Sequence, residues 1–574
     1  MAAPSLLATT AAGIWIPSII DRISRLLPRN EVACSLRVVD KATVAMLRMP
    51  EFMTVRLSEP VPHHAFTWRW GCPGAMRELT FRGRRKVLRL TAASGATTNL
   101  AFAARAARCR LTYDVVYAAG KAGQPGSCAL LEGLGCDMGG ALHGAAAGGH
   151  LSLWEELMAG WTGAKRSPLL DIREAARAGH AQVLERMVQR YREHAPLRPR
   201  SDGVWDLVCA VAEGCDLATL RRFFVELLDP DGDWDDLELW EGDDELWIEE
   251  ARVMMVEAAA RSHTPDWRAK LEWLESRGFP QTWEAFTSAA ERPDALERFA
   301  WLAQRGYPRR PEVDGDDDGY AASLRAAAAT GNSAAILFLA DGMPADVKFA
   351  LVWGAAARQG HLHVLQALHA AGRCVGACGA ARVAARSGHL HVLAWLVEAP
   401  DLGVQLDEEL FHAAATSGSV ELLAWLHERG CPWDSTSFRG AVISGCEAAL
   451  EWLAERGCPM PDDGFPFAYA VREEDFATLE CLRRLGCPWG RTGHVFNECC
   501  EAHNGNRIAM LSWLLASGCP IDWPAAVERA TMAVTEAAAQ VAKDPTSVHW
   551  TTQLEEHQAT HAWACAEVRR HRQG

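Results

Sequence analysis

Small and apolar residues in this chain return in one phrase about every 29 residues, with polar residues between the copies. The clearest copies are Ala355-Ala356-Ala357-Arg358-Gln359-Gly360-His361-Leu362-His363-Val364-Leu365, Ala384-Ala385-Arg386-Ser387-Gly388-His389-Leu390-His391-Val392-Leu393 and Ala413-Ala414-Ala415-Thr416-Ser417-Gly418-Ser419-Val420-Glu421-Leu422-Leu423. Each runs from alanines through a glycine to aliphatic residues at helical spacing, such as Leu362, Leu365 and Leu368 or Leu422, Leu423 and Leu426. The pattern predicts two short helices per copy. Alanines let the first helix pack closely on its neighbours, and the glycine supplies the left-handed residue that ends it. A second glycine closes the second helix and is often followed by Cys-Pro, as in Gly430-Cys431-Pro432, Gly457-Cys458-Pro459, Gly486-Cys487-Pro488 and Gly518-Cys519-Pro520. Proline there forbids continuation.

With the first glycine as register mark, the copies fall at Gly95, Gly123, Gly149, Gly179 and Gly214, with His263 and Pro293 in the glycine's place in the next two. The series resumes at Gly331, Gly360, Gly388, Gly418 and Gly445, slips to Glu474 and ends at Gly505. That makes about fourteen units, with one step stretched to 49 residues and another to 38. A period in this range marks a stacked-repeat solenoid. Each unit touches only its neighbours, so a long chain needs no single core. The expected fold is all-α, a solenoid of about fourteen helix-turn-helix repeats behind an N-terminal helical segment. Such a fold offers an extended binding surface rather than a pocket for chemistry.

The helix, Gly-His-Leu-x-Val-Leu, helix, Gly phrase resembles the ankyrin repeat over roughly residues 86–525. The first helix departs from that family, since Thr-Pro-Leu-His is absent and only alanines with an occasional His143 or His412 remain. The recurring Trp-Leu pairs (Trp273-Leu274, Trp301-Leu302, Trp395-Leu396, Trp425-Leu426, Trp452-Leu453, Trp513-Leu514) mark a divergent branch, with the tryptophans expected on the buried side of the second helix. The resemblance implies repeats over 86–228 and 251–525, separated by an acidic insertion at 229–250 and carrying an acidic loop at 312–319. Residues 526–574 are expected to form a C-terminal helical cap, and 1–13 a disordered lead. The implied function is non-catalytic recognition of a protein partner on the concave face and the turn tips. Trp433 and Trp489, just after Cys-Pro, are candidate contact residues there, with packing between adjacent turns as their other reading.

Residues 14–60 follow a different pattern. Pro17 opens a helix with Ile19, Ile20, Ile23, Leu26 and Leu27 on one face; after Pro28, Val32, Leu36 and Val39 face inward from a second. Ile16-Pro17, Leu27-Pro28, Glu31-Val32 and Leu36-Arg37-Val38-Val39-Asp40-Lys41 together resemble an F-box. The resemblance implies docking onto the Skp adaptor of a cullin ubiquitin ligase through Ile16, Pro17, Ile20, Leu27, Pro28, Leu36 and Val39. The hydrophobic pattern alone equally describes a helical cap over the first repeat, which leaves a plain scaffold with no ligase link.

Charge and cysteine content refine this picture. Asp229–Glu250 holds twelve acids and no base and Glu312–Asp318 five more acids, which together exceed the whole net charge of −15. Residues 31–110 carry fourteen Lys/Arg against five Asp/Glu. Each stretch reads as solvated surface or as a docking patch for an oppositely charged partner. No basic face runs along the solenoid, so a nucleic-acid partner is not expected. Cys431, Cys458, Cys487 and Cys519 share one repeat position. Equivalent positions on stacked helices lie about 8–10 Å apart, beyond the ~7 Å reach of a disulfide. They read as small buried hydrophobes in a reducing compartment, cytoplasmic or nuclear. No apolar run reaches the ~20 residues of a membrane span, residues 1–13 lack the basic start of a secretory signal, and a monomer is expected.

Candidate chemistry is sparse. Asp314-Gly315-Asp316-Asp317-Asp318-Gly319 opens like a calcium loop, but Arg325 stands where the bidentate glutamate belongs. His557, His561 and Cys565 are too far apart along one helix to hold a single ion, and Cys374 and Cys378 are isolated. His150, His180, His361 and His389 recur after the register glycine, a structural position that bonds backbone in the turn. No phosphate-cradling loop, nucleophile elbow or zinc-protease motif occurs. No cofactor, metal or enzymatic activity is expected.

Overall fold

The computed structural model describes residues 17–160, 169–194, 202–229, 245–309, 317–341, 349–501, 507–543, 545 and 548–573. The expected lead at 1–13, Ile16, and most of both acidic stretches lie outside these residues. Among the described residues every regular element is a helix. They form two compact units, residues 1–77 with 82–160 and residues 78–81 with 161–574.

The first unit opens with Pro17–Leu26, then Arg29–Glu31 running into a π-helical turn at Val32–Leu36, then Lys41–Met46 and Pro50–Met53. Ile20, Val32, Leu36 and Leu47 form a small core, with Ile23, Leu27 and Phe52 packed against it. Asp40 caps the Lys41–Met46 helix by accepting from the Thr43 amide at 2.7 Å. Tyr113–Lys121 and Gly139–Ala147, the first helices of two successive pairs, lie unusually close in the same unit. Glycine permits the approach: a Cβ on Gly120 would stand 2.2 Å from the Ala141 carbonyl oxygen, and one on Gly144 would stand 2.2 Å from that of Tyr117.

The second unit is a helical-repeat solenoid. Its first helices run Leu169–Arg177, Asp202–Gly214, Glu245–Arg261, Glu284–Ala290, Asp317–Ala329, Phe349–Gln359, Ala377–Arg386, Glu408–Ser417, Ser435–Ser444, Phe465–Arg472 and His494–Glu501. Each packs on the next, and the last packs on Trp523–Lys543, which forms a closing hairpin with Val548–Gln573. A second helix follows each first one, from Ala181–His194 to Arg507–Ala516. Ala356, Ala357, Ala384, Ala385, Ala414 and Ala415 are buried between first helices, while Val364, Leu365 and Leu368 and their equivalents fill the layer beneath the second helices. Each such leucine contributes roughly 2–3 kcal/mol. Two helices begin inside stretches the sequence assigns to acidic loops: Glu245–Arg261 within 229–250 and Asp317–Ala329 within 312–319.

The register glycine is required twice over at Gly360, whose φ is +76° and whose Cβ would lie 2.8 Å from the His389 ring. Glu474 keeps the left-handed conformation at φ +53° without being glycine, a strain of about 1 kcal/mol. Gly214, His263 and Pro293 do not adopt it, and the turns at those three units are built differently; Gly505 lies outside the described residues.

Candidate binding surfaces

In the N-terminal segment the sequence-derived site divides. Ile20 is 1% exposed and Leu36 is 6% exposed, both inside the small core, so they hold the segment together. Leu27 is half-buried against the same core, while Pro17 and Pro28 are exposed. Val39 does not face inward as its spacing implies: it is 57% exposed. The π turn, closed by Arg37 N–H donating to the Val32 carbonyl at 2.8 Å, ends the helix at Leu36 and releases the residues beyond it from the buried face. Leu26 is likewise turned outward, at 78% exposure, and Val38, Met49, Met53 and Val55 join it. Sequence reasoning placed Leu26 and Val39 on the apolar face, Val39 by extending that face past the helix end, and did not single out Met49, Met53 or Val55.

The segment's shape depends on one buried polar side chain. Asn30 Nδ2 donates to the carbonyls of Arg56 at 2.8 Å, Glu59 at 3.2 Å and Pro60 at 3.1 Å, and Asn30 Oδ1 accepts from the Arg56 amide at 2.9 Å.

The turn-tip tryptophans are half-buried. Trp433 stacks on His427 with centroids 4.5 Å apart and meets Phe411 and Trp452 edge-on. Trp489 lies flat against Phe467 at 3.7 Å. Each therefore has a packing role between neighbouring elements. The tryptophans of the Trp-Leu pairs are not core residues as expected. Trp452 alone among them is buried, and the others are half-exposed. In three of the six an arginine four residues on sits over the ring, with Arg429 at 3.9 Å from Trp425, Arg456 at 4.2 Å from Trp452 and Arg305 at 5.5 Å from Trp301. The Trp-Leu-x-x-Arg spacing was visible in the sequence and is the missed signal.

Three of the four recurrent histidines, His150, His361 and His389, bond backbone, and they do so across units. His361 Nε2 donates to the Ala329 carbonyl at 3.1 Å, His389 Nε2 to that of Arg358 at 3.0 Å and His150 Nε2 to that of Lys121 at 3.2 Å. Each acceptor lies two residues before the register mark of the preceding unit, among the last carbonyls of a helix that lack an internal partner. His363 and His391 add bonds to the carbonyls of Gly331 at 2.8 Å and Gly360 at 3.0 Å. In the two units marked by His263 and Pro293, a buried cation does this work. Lys270 Nζ donates to the Ala212 carbonyl at 2.8 Å, and Arg298 Nη1 to that of Ala260 at 2.7 Å.

Glu257, on the Glu245–Arg261 helix, is the main strained acid of this array. Burial, and then the charge of Glu284, push its carboxyl up to about 7, although Ser288 Oγ lies within 3.5 Å. The unfolded carboxyl titrates near 4.5. Between those values the folded state holds more protons, so stability falls as pH rises from about 4.5 to 7. Glu257→Gln is expected to raise the solenoid's stability by about 2 kcal/mol at pH 8, less than the full shift because the group is partly solvated, and to leave it unchanged at pH 4.5. Urea melts at the two pH values check this; equal effects at both would refute the assignment.

No group of three His, Cys, Asp or Glu side chains among the described residues is placed to hold a metal. His557 is buried against Arg507, whereas His561 faces Cys565, so the three C-terminal groups do not converge. All eighteen cysteines are free thiols. Burial first of all pushes Cys431, Cys487 and Cys519 up to about 12 and Cys458 up to about 11. No helix among the described residues is long and apolar enough to cross a membrane. A cavity of about 570 Å³ between Ala181–His194 and Leu217–Leu227 is rimmed by ion pairs, Arg222 with Glu185 and Arg192 with Glu226.

No family model and no curated protein matches the chain. Among solved structures it is similar to the pentatricopeptide repeat protein PPR10 from maize, at 12% identity over 97% of this chain and 98% of that one with a TM-score of 0.21. It is similar also to PPR10 in complex with an 18-nt psaJ RNA element, at 11% identity over 97% of this chain and 100% of that one with a TM-score of 0.23. The likeness is one of helical-repeat course. It corrects the sequence-based expectation that excluded nucleic acid, since a repeat protein to which the chain is similar was solved with RNA; that exclusion is withdrawn. The class defined by the fold is a helical-repeat solenoid.

Proposed function

We propose that this chain is a non-catalytic scaffold that holds a protein partner on the inner faces and turn tips of ankyrin-like repeats, and that its N-terminal segment docks onto the Skp adaptor of a cullin ubiquitin ligase. One observation supports the second half most. Of the twenty large apolar side chains exposed among the described residues, eight fall between Leu26 and Trp68. Apolar exposure concentrated in so short a stretch marks an interaction surface. The F-box resemblance of the same residues names the adaptor. Exposed Leu26, Val39 and Met53, rather than buried Ile20 and Leu36, would carry the contact.

The test is retention of the intact chain on immobilised purified Skp adaptor, beside a full-length Leu26→Asp/Val39→Asp/Met53→Asp variant. Retention of the intact chain, reduced at least about tenfold in a variant with unchanged helicity, is the expected result, since truncating central apolar contacts costs above about 1 kcal/mol each. An intact chain that the adaptor does not retain removes the ligase link and leaves a scaffold whose N-terminal helices only cap the solenoid.

A further inference from the structure

The chain is acidic overall, yet Phe349–Val397 contains no aspartate or glutamate and carries four arginines and five histidines. This stretch spans two consecutive units, so an acid-free surface is built into the middle of the array. Arg373 lies over the Phe349 ring at 5.2 Å, and Arg382 pairs with Asp407 at 2.9 Å and Glu409 at 2.6 Å of the following unit. Arg358 and Arg386 are different. Both are exposed, and neither has a side-chain partner among the described residues. They occupy the same repeat position, two before Gly360 and two before Gly388, on first helices that pack directly together. Their Cα atoms are therefore about 8–10 Å apart, one helix-packing distance.

The surface around them is open and partly apolar. Leu351 is seven residues before Arg358, on the same face of its helix, and is 45% exposed. A Cβ placed on Gly354 or Gly379 would meet nothing within 4 Å, so a ligand backbone can approach the helices there. Arg325, exposed on the preceding first helix and also without a partner among the described residues, extends the patch by one unit. Asp407 and Glu409 bound it on the other side.

Resting on the scaffold reading, we infer that this face is the docking site for an extended acidic segment of a partner protein. Carboxylates three residues apart on that segment meet Arg358 and Arg386, and an aliphatic residue covers Leu351. A chain in the polyproline II conformation advances about 9 Å over three residues and returns the side chain to the same face, which matches the unit spacing. Charge complementarity favours an acidic ligand, and exposed Leu351, with no exposed tryptophan, tyrosine or phenylalanine beside it among the described side chains, favours protein over single-stranded RNA, which stacks its bases on aromatic platforms.

The experiment measures fluorescence polarisation of a labelled twelve-residue peptide repeating Glu-Gly-Leu against the full chain, with dodecauridylate RNA as the second probe. Saturable peptide binding is expected, weakening at least about fivefold between 50 and 300 mM salt. Arg358→Glu/Arg386→Glu should weaken it at least about tenfold, while Arg89→Glu, an exposed site in the other unit, changes it less than about twofold. No peptide binding at 50 mM salt, or binding indifferent to the Arg358/Arg386 exchange, overturns the proposal. So does RNA that binds tighter through the same two arginines. Peptide held elsewhere on the solenoid would remove this site while leaving the scaffold reading in place.

Discussion

Lys270→Met lowers the stability of the solenoid by about 3 kcal/mol at pH 7, the range for removing a buried charged donor from its acceptors. Lys270 is fully buried. Its ammonium donates to the Ala212 carbonyl at 2.8 Å, to Ser262 Oγ at 2.8 Å and to Thr264 Oγ1 at 2.7 Å, and Asp266 lies 3.8 Å away. The two hydroxyls can turn toward each other, since they are 2.9 Å apart. The Ala212 carbonyl cannot turn, and methionine leaves it without its donor from Lys270. The pH dependence separates this account from simple loss of packing. Burial lowers the Lys270 pKa to about 8 from 10.5. Between those values the unfolded chain holds more protons, so the lysine's contribution to stability rises with pH over that window. The gap between wild type and variant should therefore widen from pH 7.5 to pH 9.5, measured by urea melts at matched ionic strength. A gap that stays constant would mean that Lys270 acts through its methylenes alone.

The same residue marks where the sequence stopped being legible. The Gly-His units declare themselves: glycine is forced by φ +76° at Gly360, and the histidine after it by a carbonyl of the preceding unit that needs a donor. A recurring structural demand leaves a recurring residue pair, and that is why the helices, their order and the buried Cys-Pro cysteines could be read without coordinates. At His263 and Pro293 the demand persists while the residue changes. Lys270 and Arg298 meet it from the middle of the second helix, seven and five residues past the mark, where a cation reads as surface. Only its place on the apolar face, beside Trp267 and Leu271, hinted otherwise. Two of the misplaced Trp-Leu tryptophans, Trp301 and Trp425, have a related reason: an arginine one turn away covers an aromatic face that would otherwise need burial. The candidate site was least legible of all, because the seven N-terminal residues rest on a resemblance carried by apolar side chains, which does not say which face the helix keeps. The exposed arginines of the acid-free stretch are visible only when ion pairs are counted in space.

Asn30→Leu should release the N-terminal segment, at a cost of about 3 kcal/mol to the first unit. Asn30 is 1% exposed, and its amide group makes four hydrogen bonds to backbone between Arg56 and Pro60. Three of these satisfy carbonyls and one satisfies an amide; a leucine of similar volume leaves all four groups without that partner. An unmade buried bond costs about 1–3 kcal/mol, and water entering at the segment's edge recovers part of the sum. The apolar core has little to set against this loss, since its four buried residues are Ile20, Val32, Leu36 and Leu47. The polar hub, more than hydrophobic burial, therefore fixes the path of residues 54–60 and with it the place of exposed Met53 and Val55. Two readouts follow. Hydrogen exchange at the Arg56 amide, protected in the wild type by Asn30 Oδ1 at 2.9 Å, should become fast in the variant. Adaptor retention, if the exposed face carries it, should fall together with that protection, while exchange in the Phe349–Gln359 and Ala377–Arg386 helices of the other unit stays unchanged. Fast exchange with retention undiminished would show that the contact lies wholly on the Pro17–Leu36 side of the segment. Slow exchange in the variant would show that the apolar core alone holds the segment, and would overturn the assignment of Asn30 as its hub.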